Sequence, residues 1–124
     1  MSQMVLLAMT DRGVARALTQ QADGAWSVEV SLADQDIRCL AADPARPNVV
    51  YAGAQGAGVL RSDDGGVTWQ SSGLAGSIVK SLAVSHAVPG TVYAGTKPAR
   101  IYVSRDGGAR WHSYFWWRTS SASR

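Results

Sequence analysis

The feature that most constrains this chain is an eight-residue stretch that occurs twice at a fixed distance. Ser62-Asp63-Asp64-Gly65-Gly66-Val67-Thr68-Trp69 returns as Ser104-Arg105-Asp106-Gly107-Gly108-Ala109-Arg110-Trp111, 42 residues on. At the same offset Tyr51-Ala52-Gly53 returns as Tyr93-Ala94-Gly95, and Ile37-Arg38-Cys39-Leu40-Ala41 as Val79-Lys80-Ser81-Leu82-Ala83. Independent anchors at one offset, with no gap between them, define a structural repeat. Each octet has the chemistry of a hairpin loop. Its carboxylate and hydroxyl can accept bonds from nearby backbone N–H groups. Its glycines take positive φ without steric cost. Its tryptophan anchors the outgoing strand by burying a large ring.

A weaker copy precedes these two. Val5-Leu6-Leu7-Ala8-Met9-Thr10 resembles Val49-Val50-Tyr51-Ala52-Gly53-Ala54, and Gly13-Val14-Ala15-Arg16-Ala17 resembles Gly58-Val59-Leu60-Arg61-Ser62. Trp26 precedes Trp69 by 43 residues. The loop chemistry has changed there: Gln21 stands where Asp64 would be and Asp23 where Gly66 would be.

Within the central unit four short β-rich runs are expected, at about 36–42, 48–54, 58–61 and 67–71. Turn formers bound each of them: Asp43-Pro44, Pro47-Asn48, Gly53 to Gly58, and Asp63 to Gly66. Runs this short cannot be ordinary helices. A unit of 42 residues with four strands is the size of a propeller blade. Strand alternation puts Val49 and Tyr51 on one face and Val50 and Ala52 on the other. The expected fold is therefore all-β: a partial propeller of about three four-stranded antiparallel blades, the first lacking its opening strand. The units fall at about 1–33, 34–75 and 76–112, with an irregular tail at 113–124 outside the repeat.

Residues 62–69 fit the Asp-box pattern Ser-x-Asp-x-Gly-x-Thr-Trp at every fixed position. Residues 104–111 fit at all but one, with Arg110 in place of Thr. With the surrounding Leu-Ala-x-Asp-Pro and Val-Tyr-Ala-Gly segments, the chain resembles the BNR/Asp-box repeat β-propellers. That group spans sialidases, xyloglucan-degrading glycoside hydrolases, sortilin-type receptors and photosystem assembly factors. Among these the resemblance is nearer to the sialidase-like, BNR-repeat glycosyl hydrolase-related proteins, and it covers about residues 3–112. It implies a propeller, with each octet at the hairpin between the third and fourth strands, on the rim. It does not imply one activity, because the fold hosts receptors and assembly factors as well as enzymes. The family's propellers have six or more blades, so the chain reads as a partial one. Either it is a truncated or frame-shifted product, or copies of it complete a ring.

The residues singled out are Ser62, Asp64, Gly66, Thr68 and Trp69, with Ser104, Asp106, Gly108 and Trp111. Their expected role is structural. Glycoside hydrolysis needs two carboxyl groups across a bound sugar, about 5–10 Å apart, whereas equivalent positions on separate blades point outward. Asp63-Asp64-Gly65 lacks the alternating acidic ligands and terminal Glu of a calcium loop. No metal, cofactor or catalytic residue is nominated. The sialidase signature that opens with Arg-Ile/Val-Pro is absent, and Glu29 is the only glutamate. Gly53-Ala54-Gln55-Gly56-Ala57-Gly58 has no following Lys and opens no helix, so it reads as a turn rather than a phosphate loop. His86 and His112 have no partner at metal spacing. Cys39, the single cysteine, excludes an internal disulfide and reads as a small strand hydrophobe.

A net charge of +3 is too small to argue for nucleic acid. No run approaches the roughly 20 apolar residues of a membrane span. A cytoplasmic protein is expected. Its partners are a second copy of itself completing a propeller, or a protein or carbohydrate ligand. The tail, with Tyr114, Phe115, Trp116 and Trp117, leaves the repeat pattern. It reads as an accidental ending, an apolar patch that drives association, or an aromatic platform.

Overall fold

The computed structural model describes residues 5–11, 13–19 and 26–114. These form β-strands joined by tight turns, with no helix among the described residues. The first sheet contains β1 (Val5–Thr10), β2 (Gly13–Thr19) and β3 (Trp26–Ser31), in that order. The central sheet contains β4 (Ile37–Asp43), β5 (Arg46–Ala54), β6 (Gly58–Ser62) and β7 (Gln70–Ser71). The third contains β8 (Ile78–Val84), β9 (Val92–Lys97), β10 (Arg100–Ser104) and β11 (His112–Tyr114). Every pairing is antiparallel and joins strands consecutive in the chain, as in the blades of a propeller.

The three sheets stack in chain order, so the central sheet is buried on both faces. Val49, Tyr51 and Val59 of the central sheet meet Val79, Val92 and Ala94 of the third. Ile37, Ala52, Ala54 and Leu60 turn the other way and meet Val14 of the first. The alternation along β5 separates Val49 and Tyr51 from Ala52, as a period of two requires. Each fully buried aliphatic side chain contributes about 1.5–3 kcal/mol of burial free energy. The two cores between the sheets are thus the main source of cohesion.

Some boundaries differ from the sequence reading, for physical reasons. The fourth run of the central unit is expected at 67–71, but only Gln70 and Ser71 pair with β6. The Asp64 carboxylate takes the N–H groups of Val67 and Thr68, so they are not offered to the ladder. β5 begins at Arg46 and takes in Pro47, with a register shift between Ala42 and Asp43. The irregularity falls beside Pro47, which has no N–H to donate. Ser113 and Tyr114, placed in the tail by the sequence reading, form the outer strand of the third sheet with His112. Phe115, Trp116 and Trp117 lie outside the described residues.

Candidate functional site

Each octet closes the hairpin between the third and fourth strands of its sheet, joining β6 to β7 and β10 to β11. In the first, the buried Ser62 hydroxyl donates to Asp64 Oδ1 at 2.7 Å and accepts from the Gly66 N–H at 2.8 Å. Asp64 Oδ1 also accepts from the amides of Val67 (3.1 Å) and Thr68 (2.9 Å), and Asp64 Oδ2 accepts from the Thr68 hydroxyl. The carboxylate is thereby saturated by its own loop.

The second octet repeats this network. Ser104 Oγ donates to Asp106 Oδ1 at 2.8 Å and accepts from the Gly108 N–H at 2.8 Å. Asp106 Oδ1 accepts from the Arg110 amide at 2.9 Å. Arg110 occupies the position of the threonine, and its Nε donates to Asp106 Oδ2 at 3.2 Å. A guanidinium thus reaches the oxygen that a hydroxyl reaches in the first octet. Gly108 sits at φ +91°, where a side chain is strained, and a Cβ there would lie 2.2 Å from Ser72 Oγ.

The indoles close the turns from the side. Trp69 Nε1 donates to Gly66 O at 3.2 Å and to Ser31 Oγ at 3.0 Å. Trp111 Nε1 donates to Gly108 O at 3.1 Å and to Ser72 O at 2.6 Å. Ser31 ends β3 and Ser72 directly follows β7, so each tryptophan already ties its sheet to the one before it.

A second set of bonds runs across the same joints. Arg16 on β2 donates from Nε to Gly65 O at 3.0 Å, and Ser31 Oγ donates to Gly66 O at 3.2 Å. In the next joint Arg61 on β6 donates from Nη1 to Gly107 O at 2.7 Å, Tyr51 OH to the same oxygen at 3.2 Å, and Ser72 Oγ to Gly108 O at 2.9 Å. Each octet therefore presents its two glycine carbonyls to an arginine on a strand of the sheet before it and to a serine at or just past the end of that sheet's last strand. Arg16 is held by Glu29 at 3.3 Å and Arg61 by Asp63 at 2.7 Å. No role for these clamps was read from the sequence. A signal was present, since Gly13-Val14-Ala15-Arg16 aligns with Gly58-Val59-Leu60-Arg61.

Hydrogen bonding holds both octet carboxyls below the usual carboxylate range. For Asp64 the Thr68 hydroxyl and amide contribute most, then the Ser62 hydroxyl. For Asp106 the Arg110 amide leads, followed by the Ser104 hydroxyl. In the unfolded chain both titrate near an ordinary aspartate value of about 3.9. Their stabilising contribution is therefore present above about pH 4 and is lost as pH falls from there toward the folded values. The melting midpoint is expected to drop on acidification below about pH 4, and to drop less in Asp64→Asn. Equal acid sensitivity of wild type and variant, followed by circular dichroism, would exclude Asp64 as a source of the effect.

The other singled-out residues do not converge on a chemical site. His86 and His112 are exposed on separate segments. Glu29 is engaged by Arg16. Residues 53–58 form the β5–β6 hairpin, where the Gly56 N–H is taken by Ser77 O at 3.0 Å. Cys39 lies half-buried on β4, and burial pushes its thiol pKa up. Among the described residues no cluster of His, Cys, Asp and Glu is placed to hold a metal ion.

No protein-family model and no curated protein matches the chain. Solved structures do match. The chain is similar to YCF48 bound to a D1 peptide, with 13% identity and a TM-score of 0.59 over 90% of this chain and 43% of that one. It is also similar to the GH74 xyloglucanase from Xanthomonas campestris, with 19% identity and a TM-score of 0.62 over 90% of this chain and 21% of that one. YCF48 from Cyanidioschyzon merolae matches at 18% identity and a TM-score of 0.54, over 65% of this chain and 27% of that one. The chain thus spans less than half the length of each. All are β-propeller proteins, and the likeness defines the fold class: this chain is a partial β-propeller whose sheets do not close on themselves.

Proposed function

We propose that the chain is a non-catalytic repeat module of the BNR/Asp-box kind, in which the octets build and join the blades and the blade surfaces engage a protein partner. The observation that carries this reading is the state of the acids. Asp64 and Asp106 are saturated by their own loops, and Glu29, Asp36, Asp43 and Asp63 each pair with an arginine, while the two remaining described acids, Asp11 and Asp34, are exposed on turns. A glycosidase needs one carboxyl free to give a proton and another free to attack or to activate water. The choice of a protein ligand draws on YCF48, which has been solved with a D1 peptide bound.

The competing reading is a glycoside hydrolase, since GH74 enzymes share the fold. Full-length chain incubated with xyloglucan or sialyllactose is expected to release no reducing sugar or sialic acid above a protein-free blank. Asp64→Asn and Asp106→Asn are expected to lower the melting midpoint and to leave that blank-level result unchanged. Turnover that disappears in either variant, with the melting midpoint unaltered, would overturn the module reading.

A further inference from the structure

The repeat gives every sheet two kinds of face. One, called here the outgoing face, carries Leu7, Val14 and Arg16 in the first sheet and Tyr51, Val59 and Arg61 in the central sheet. The other, the incoming face, carries Ala52 and Leu60 in the central sheet and Val92 and Ala94 in the third. Both joints inside the chain put an outgoing face against an incoming one. The strand register leaves one of each kind open. In the first sheet Leu6, Ala17 and Val28 form one cross-strand row and Ala8, Ala15 and Val30 the next, all on the incoming side. Leu6 is 54% exposed, Val28 62% and Val30 55%. In the third sheet Tyr93, Ile101 and Val103 occupy the outgoing positions of Tyr51, Val59 and Arg61; Tyr93 is 43% exposed and Ile101 half-buried, while Val103 is buried, so the open part of this face centres on Tyr93 and Ile101.

We propose that these two open faces pair head to tail between two copies of this chain, Tyr93 and Ile101 of one copy packing on Leu6, Val28 and Val30 of the other. This rests on the reading of the chain as an interaction module and specifies its partner. One observation favours a second copy: the joint would repeat, face for face, an interface the chain makes twice within itself. Val103 stands where Arg16 and Arg61 donate, so the third sheet brings no arginine from that position to the joint. Such a joint is heterologous, so it propagates until the rotation closes a ring.

The test is the mass of the full chain by light scattering during size exclusion, at about 100 μM, well above the micromolar affinities of modest interfaces. Wild type is expected at a discrete multiple of the monomer. Val28→Asp on the incoming face and Tyr93→Asp on the outgoing face are each expected to run as monomers with a cooperative melt. Each variant keeps one intact face, so an equimolar mixture is expected to regain a species of twice the monomer mass. A monomeric wild type overturns the proposal. So does an unchanged mass in either variant, or a mixture that stays monomeric. Association of Tyr93→Asp alone, with Val28→Asp monomeric, would mean a two-fold pairing of first sheets and would overturn the head-to-tail polarity. These outcomes are separate from sugar release, which alone bears on the module reading.

Discussion

Tyr51→Ala is expected to destabilise the protein by about 3–5 kcal/mol, the range found when a fully buried large aromatic is truncated. Tyr51 is the largest of the fully buried side chains and lies in the core between the central and third sheets. Native domains have only about 5–15 kcal/mol in total, so a large part of the stability would go. Urea unfolding should show the midpoint falling sharply or the baseline of the native state disappearing. Tyr51→Phe separates the ring from its hydroxyl. It is expected to cost about 1 kcal/mol, an ordinary net hydrogen bond. The Gly107 carbonyl keeps Arg61 Nη1 at 2.7 Å, so removing the phenol does not orphan it. A Tyr51→Phe loss as large as that of Tyr51→Ala would mean that the hydroxyl, not the ring, holds the joint.

The ring and the clamp were not equally visible in the sequence. The octets were legible because their chemistry is local: Ser62, Asp64 and Thr68 bond within a few residues of themselves, so the pattern survives without knowledge of the fold. The 42-residue offset then gave the sheets, because equivalent loops must close equivalent hairpins. The clamps join residues that are distant in sequence, Arg16 to Gly65 and Arg61 to Gly107, across two sheets. An arginine in a strand carries no mark of its partner. Arg110 reads in sequence as a departure from the pattern, yet its Nε replaces the threonine hydroxyl on the same carboxylate oxygen position. Val67, Thr68 and Trp69 have strong β propensity, and that led the fourth strand to be placed too early. Capture of two amides by Asp64 outweighs propensity there.

Gly58→Ala is expected to cost about 2–5 kcal/mol, from roughly 1–2 for an alanine forced to positive φ and about 1–3 for overpacking. Gly58 opens β6 at φ +75°, and a Cβ there would lie 2.4 Å from Gly73 O and from the Leu74 carbonyl carbon. These are backbone atoms and cannot swing aside. Moving them would strain the Val59 N–H bond to Gly73 O, now 2.9 Å. It would also displace Ser72, whose hydroxyl holds Gly108 O at 2.9 Å and whose carbonyl receives the Trp111 indole N–H. The damage would therefore pass from a hairpin of the central sheet into its joint with the third. Gly65→Ala is the control. It has a similar φ of +73°, but the nearest atom to its Cβ, Asn48 Oδ1, is 3.9 Å away. Only the conformational part applies, so a loss of about 1–2 kcal/mol is expected. Chemical denaturation of the two variants side by side gives the difference. If Gly58→Ala proves no worse than Gly65→Ala, the 72–74 loop yields freely, and the joint between central and third sheets does not depend on where that loop sits.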